Sequence, residues 1–316
     1  MHAFRSILLA ITKQHTSDMA LQQAFRLVKD NRASLLIVLF DNSLEVMHRF
    51  QFLPWEQKLE DKLRVQMEED LEALKEKAWD EGIKANTLIV SGRPRQTIQQ
   101  VAKEHDIDLV VKLADPSGVL ARNQLTGNDL ALLRRCPVPV LMMADRNQLT
   151  HFTGKILVAV DVGSPDENAG SLNKKLTQYG LYVAAQEEAE LHLVSVWGLP
   201  ANPRALQTLS DEELYELQEI TRHRYQHKLD ELTQTLGLDG QDKPVPVHTH
   251  LLKGQPAIEI QRLANDIDVD LIVMGTLGNH TQGLLVGNTA ENILNGVYCS
   301  ILAVKPEGFT DPLAVK

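Results

Sequence analysis

The chain has 316 residues, 43% of them apolar and 23% charged, with a formal net charge of −10. That length allows two domains of ordinary size, and the composition is that of a water-soluble globular protein. The negative balance argues against a broad nucleic-acid or anionic-membrane surface, though a small local phosphate cradle remains compatible with it. The opening MHAFRSILLAI is too short for a signal-peptide core. No run approaches the roughly 18 apolar residues of a membrane span, so the expectation is a cytoplasmic protein. Cys136 and Cys299 show no metal-type spacing and read as reduced, buried thiols.

In chain order, Ser6 to Ile11 is short and apolar, the pattern of a buried strand. Residues 17–30 read as a helix with Ala20, Ala24, Leu27 and Val28 on one face. Ala33 to Phe40 is a second strand. From Trp55 to Glu81, Leu59, Leu63, Met67, Leu71, Leu74 and Ala78 recur three or four apart, which predicts a long charged helix ended by Gly82. Ala85 to Val90 is a third strand, Ile98 to His105 a helix, and Leu109 to Val111 lies in a fourth strand. A short helix near Leu130 to Arg135 precedes a fifth strand, Val138 to Met143.

The second half repeats this order. Lys155 to Val160 matches the first strand, and Ala189 to Trp197 the second. Ser210-Asp-Glu-Glu213 is a capping-box start to another long helix. Its apolar stripe is Leu214, Leu217, Ile220, Tyr225, Leu229, Leu232 and Leu236, and Gly237 ends it. Gly92, Pro94, Ile98, Ala102, Asp106, Asp108 and Leu109 lie over Gly254, Pro256, Ile260, Ala264, Asp268, Asp270 and Leu271, at a constant offset of 162. A fixed offset with matched Gly, Pro and Asp indicates tandem copies of one domain. Strand–helix alternation implies α/β domains with parallel sheets and right-handed crossovers. The fold expected is two tandem copies of a doubly wound five-stranded parallel sheet in flavodoxin-like order, with ligands where the strand order reverses. The domains are expected at 1–146 and 152–306, with a tail at 307–316.

Asp270 to Asn292 carries the chemistry. The apolar run Leu271-Ile272-Val273-Met274 stops at Gly275, and Gly278 follows. After eight more residues come Gly287, Asn288 and Thr289, and then a helical pattern. Glycines let backbone approach a ligand closely, and the N–H groups of a helix start bind anions. There is no Gly-Lys-Ser/Thr and no compact G-x-G-x-x-G. A tight strand–helix loop needing glycines for geometry alone is the other reading.

The spacing resembles the nucleotide loop of the universal stress protein family, G-x2-G-x9-G-[S/T/N]. The second gap is one residue shorter here, and Asn288 stands where many members have serine. With the repeat, the resemblance covers nearly the whole chain and is close to the bacterial E-type, through Gly287-Asn-Thr-Ala-Glu291 and Lys305-Pro-Glu-Gly-Phe309. It implies ATP or another adenine nucleotide, with or without Mg²⁺, in the second copy. The residues it implies are Val160, Asp161, Val196, Met274, Gly275, Gly278, Gly287, Asn288 and Thr289. An aspartate after the first strand would contact the adenosine part, a valine after the second would pack on it, and the glycine loop would hold the phosphates. Asp161 on its own would read as a strand-end cap. In the first copy Thr12 replaces the aspartate, and Leu113 and Pro116 replace the first two glycines. That copy is not expected to bind ATP in the family manner. The resemblance also implies an intrachain pseudo-dimer meeting through the fifth strands, Val138–Met143 and Ser300–Val304.

His223 and His227 share a helix face, and His248 and His250 one side of a strand. They read as solvated and as partly buried structural histidines respectively, with no metal site expected. No Ser/His/Asp or Cys/His motif is present, and the loop shows no Lys/Arg clamp, so catalysis beyond weak ATP hydrolysis is not expected. The reading is therefore a cytoplasmic stress-response protein that binds a nucleotide and regulates partners the sequence does not name. It has no nucleic-acid or membrane partner and is compatible with a homodimer. The competing reading is a binding protein for another small ligand, acyl or nucleotide-sugar-like, using the degenerate first copy or an altered second site.

Overall fold

The computed structural model describes residues 3–12, 18–41, 56–91, 94–113, 127–144, 154–166, 168–199, 206–238, 240, 245–276, 290, 292–293, 296–297 and 299–309. In the first half the elements are β1 (Ser6–Thr12), α1 (Asp18–Asn31), β2 (Ser34–Asp41), α2 (Glu56–Asp80), β3 (Ala85–Ser91), α3 (Pro94–Glu104), β4 (Leu109–Leu113), α4 (Gly127–Arg135) and β5 (Val140–Met143). The second half adds β6 (Lys155–Ala159), α5 (Ala169–Gln186), β7 (Glu190–Trp197), α6 (Asp211–Thr235), β8 (Val247–Lys253), α7 (Pro256–Asp266), β9 (Leu271–Gly275) and β10 (Ser300–Val304).

Two compact units result. One comprises Met1–His151, Ser300–Ala303 and Leu313–Lys316; the other comprises Phe152–Cys299 and Val304–Pro312. In the first, the strands run β3-β2-β1-β4-β5 and all pair in parallel. In the second, β9-β6-β7-β8 are likewise parallel. The class is the expected one, but the strand order is not that of flavodoxin, 2-1-3-4-5. The third strand lies outside the second, so the first and fourth strands become direct neighbours. The fifth strand read for the second copy forms at the expected residues, Ser300–Val304, and meets the other fifth strand, β5, as the resemblance implies. Its residues Ser300–Ala303 belong to the first unit, antiparallel on β5, with Ile301 opposite Met142 and Ala303 opposite Val140. The Ser300 hydroxyl accepts the Ala144 N–H at 3.1 Å beside this pair.

The central strands are buried on both faces, which is why they read as continuous apolar runs rather than alternating ones. Leu8, Leu9, Ile37, Leu109 and Val110 fill one core, and Ile156, Leu157, Leu193, Ile272 and Val273 the other. The matched aspartates act identically in the two units. Asp106 and Asp268 turn the chain with φ of 48° and 51°, a conformation aspartate tolerates better than most residues. Two residues on, the Asp108 carboxylate accepts the N–H groups of Arg5 and Ser6 at 2.7 and 3.0 Å. Asp270 accepts the Lys155 N–H at 3.2 Å. Each thereby ties the start of the fourth strand to the start of the first.

The capping box at Ser210 forms, the Glu213 N–H donating to Ser210 Oγ at 3.2 Å and the Ser210 N–H to Glu213 Oε2 at 2.7 Å. The stripe read along this helix is only half buried. Leu229 and Leu232 are in the core, whereas Ile220 is 59% exposed. Cys136 and Cys299 are both buried and not joined in a disulfide.

Candidate functional site

The site is built at the carboxyl ends of β6, β7 and β9, all in the second unit. Ala159 on β6 lies opposite both Met274 on β9 and Val194 on β7, and the Val160 N–H donates to Val194 O at 2.9 Å. Asp161 therefore leaves β6 beside Gly275, the last residue of β9. This is the point where strand order reverses, the usual ligand crevice of such sheets. Val160 and Met274 are buried beneath it. Asp161 is exposed, and Val196, near the end of β7 opposite Leu252, is half-buried.

The Asp161 peptide is held on both sides by one side chain. Asn173, buried on α5, accepts the Asp161 N–H at its Oδ1 (3.1 Å) and donates from Nδ2 to the Asp161 carbonyl (2.9 Å). The backbone is thereby fixed at an exposed residue. The Tyr225 ring of α6 then packs on Gly163, where a Cβ would overlap the phenol oxygen and ring carbons. Burial, and after it the negative charge of Asp161, raises the Tyr225 pKa above its ordinary value, with Arg224 acting in the opposite sense.

At the β9 end, a Cβ on Gly275 would meet Leu172 Cδ2 of α5 at 3.1 Å. Packing against the protein's own helix thus already favours glycine there. Thr276 follows, fully buried, and its hydroxyl accepts a hydrogen bond from the buried ammonium of Lys305. Phe309 lies 5.6 Å from the same ammonium and adds a cation–π contact. A positive charge therefore stands at the end of β9 where the glycine loop departs.

Val160, Asp161, Val196, Met274 and Gly275 are thus brought to adjoining strand ends. Gly278, Gly287, Asn288 and Thr289 lie outside the described residues, as does Pro116 of the first copy. Three contributors escaped sequence reasoning. Tyr225 was counted in an apolar stripe, Lys305 only as part of a likeness, and Asn173 not at all. Only Lys305 carried a signal, as a lone cation directly after an apolar strand.

The corresponding place in the first unit is occupied differently. Thr12 ends β1 and Leu113 ends β4. Lys112, which stands at the repeat position of Met274, pairs with Asp129 in the first turn of α4 at 2.7 Å. Their side chains are 4% and 2% exposed. A carboxylate already occupies the helix start that would otherwise face an anion.

The comparisons with known proteins fit this architecture. The model of the universal stress protein family matches residues 3–144 and again 153–305. The chain is 27% identical over 316 residues to the universal stress protein E homolog of Haemophilus influenzae, covering 96% of this chain and 98% of that one. It is 31% identical to universal stress protein E of Escherichia coli K12 over 72% of this chain and 69% of that one. In fold it is similar to the crystal structure of a universal stress protein from Archaeoglobus fulgidus, with a TM-score of 0.66 at 18% identity, covering 96% and 97% of the two chains. With both halves matched and the tandem sheets in place, the chain belongs to the universal stress protein family, as a two-domain member similar to the E-type proteins.

Proposed function

We propose that the second domain binds one adenine nucleotide, ATP by the family pattern, and that the protein regulates a cytoplasmic stress response rather than catalysing a reaction. The observation that carries this reading is the pairing of Ala159 with Met274. It brings Asp161, an exposed residue, to the strand end next to Gly275, the glycine that opens the loop. Asp161 would accept hydrogen bonds from ribose or adenine, Val196 would pack on the base, and the loop would meet the phosphates. Lys305 supports the phosphate end with a buried positive charge, and Asn173 supports the adenosine end by fixing Asp161. In the first domain the Lys112–Asp129 pair, together with Thr12 and Leu113, favours a non-nucleotide role.

Calorimetry of the full chain with ATP, AMP and adenosine tests this. One site per chain is expected. Asp161→Ala should weaken all three ligands by roughly ten- to a hundredfold, the loss of a charged hydrogen bond. Gly278→Val should weaken ATP more than adenosine, because it puts a branched side chain where backbone would approach phosphate. Absence of binding at millimolar nucleotide, or an Asp161→Ala variant of unchanged affinity, would reject the assignment. The second reading, a different small ligand in an altered site, is favoured by Tyr225, whose ring on Gly163 narrows the space beside Asp161. Native mass spectrometry of freshly purified protein separates the two, by a nucleotide mass or by a larger apolar one.

A further inference from the structure

Four side chains converge on one side of the last two strands of the second unit. Glu190 and His192 are two apart on β7, His248 and His250 two apart on β8, and each pair shares a face. The register sets His192 directly beside His248. His192 Nε2 lies 3.2 Å from Glu190 Oε2, and His248 Nε2 lies 3.9 Å from the same oxygen. One ligand atom from each of Glu190, His192 and His248 falls within 4.8 Å of the others. The remaining nitrogen of His192, Nδ1, is 3.0 Å from His250 Nε2. The His248 and His250 rings stack on His192 with centroids 4.8 and 5.2 Å away. This cluster is separate from the nucleotide reading, since His192 precedes Val196 by four residues, about 13 Å along the strand.

We propose that Glu190, His192 and His248 form a binding site for a divalent transition-metal ion of zinc's class, with His250 orienting His192. Two imidazoles and a carboxylate are a donor set that zinc accepts, at about 2.0–2.2 Å per bond. A tetrahedral ion with such bonds spaces its ligand atoms by about 3.3–3.5 Å. The Glu190–His192 separation already matches, and the side chains that must close in, His248 and Glu190, are 49% and 43% exposed. The buried His192 is the fixed point. A ligating histidine commonly engages its second nitrogen with a neighbour that sets its tautomer, and His192 does so with His250. The neutral ring is the ligating form. The 3.9 Å contact of His248 is too long for a hydrogen bond, so hydrogen bonding alone does not explain why a third ligand atom converges there. Three protein ligands leave a fourth position for water.

The experiment is a Zn²⁺ titration of the chelator-stripped full-length protein against a chromophoric chelator. One ion per chain is expected. His248→Ala, on an exposed side chain, should weaken it at least tenfold, and His250→Gln should weaken it ten- to a hundredfold without changing the stoichiometry. Asp161→Ala should leave zinc unaffected. So should His223→Ala combined with His227→Ala, on the exposed face of α6. Equal zinc affinity in wild type and His248→Ala, or loss of the ion only with the His223/His227 substitutions, overturns the proposal.

Discussion

Replacing Asp129 by alanine leaves the Lys112 ammonium without its 2.7 Å counter-charge in a place where its side chain is 4% exposed. Breaking a buried pair by removing one partner costs about 3–5 kcal/mol, because a charge stays buried without compensation. Removing both charges costs far less, since the pair itself roughly cancels its own desolvation. Lys112→Met is the matched change, because methionine stands at this position in the second domain. Hydrogen exchange of the β4 amides reads the first unit alone. Asp129→Ala should raise the opening constant there by roughly a hundred- to a few-thousandfold. Lys112→Met/Asp129→Leu should return it to within about tenfold of wild type. If the double variant is as unstable as the two single losses added together, the pair is not the coupled unit described, and the reasoning fails. Nucleotide stoichiometry should stay at one per chain in every variant.

Asn173→Ala should cost about 1–3 kcal/mol of stability by leaving the Asp161 peptide without its side-chain partner, and should weaken nucleotide as well; urea unfolding and calorimetry read the two effects. Asp161→Ala, an exposed substitution, should instead move unfolding by less than about 0.5 kcal/mol while still weakening nucleotide. Ser210→Ala should cost about 0.5–2 kcal/mol by removing the helix cap, read by denaturant midpoint at constant slope. A fragment of residues 1–147 should self-associate or aggregate, because β5 then lacks β10 and presents a bare apolar edge; a monodisperse monomer by light scattering would count against this.

Much of the domain architecture was legible because both copies obey the same local constraints. The aspartates at 106, 108, 268 and 270 each perform a backbone task that few other residues can perform. The 162-residue offset preserves that task twice. Position within an element was harder to read. At 3.6 residues per turn Ile220, nine residues before Leu229, falls on the opposite face of α6, so one apolar stripe cannot hold both, and Ile220 is left in solvent. Tyr225 shares that period yet reaches past the core to Gly163, a contact fixed only by how α6 crosses the strand ends. Asn173 holds a peptide twelve residues away in sequence, and a single polar residue on a helix gives no sign of such a task. The histidines of β7 and β8 were visible as alternating pairs. Their convergence depends on strand register, which is a tertiary fact.

The place of β10 bears on how the protein is made. Ile301 pairs with Met142, so the ribosome must add more than half the chain after β5 before its partner strand exists. At about 5–20 residues per second, that interval is roughly 8–30 s. Through it, the nascent amino-terminal domain presents an unpaired apolar strand edge, while the sequence of the second domain is still being translated. The last strand therefore acts as a closing clasp, and a premature stop before residue 300 would release a chain whose first domain is exposed along β5 however well its other strands have formed.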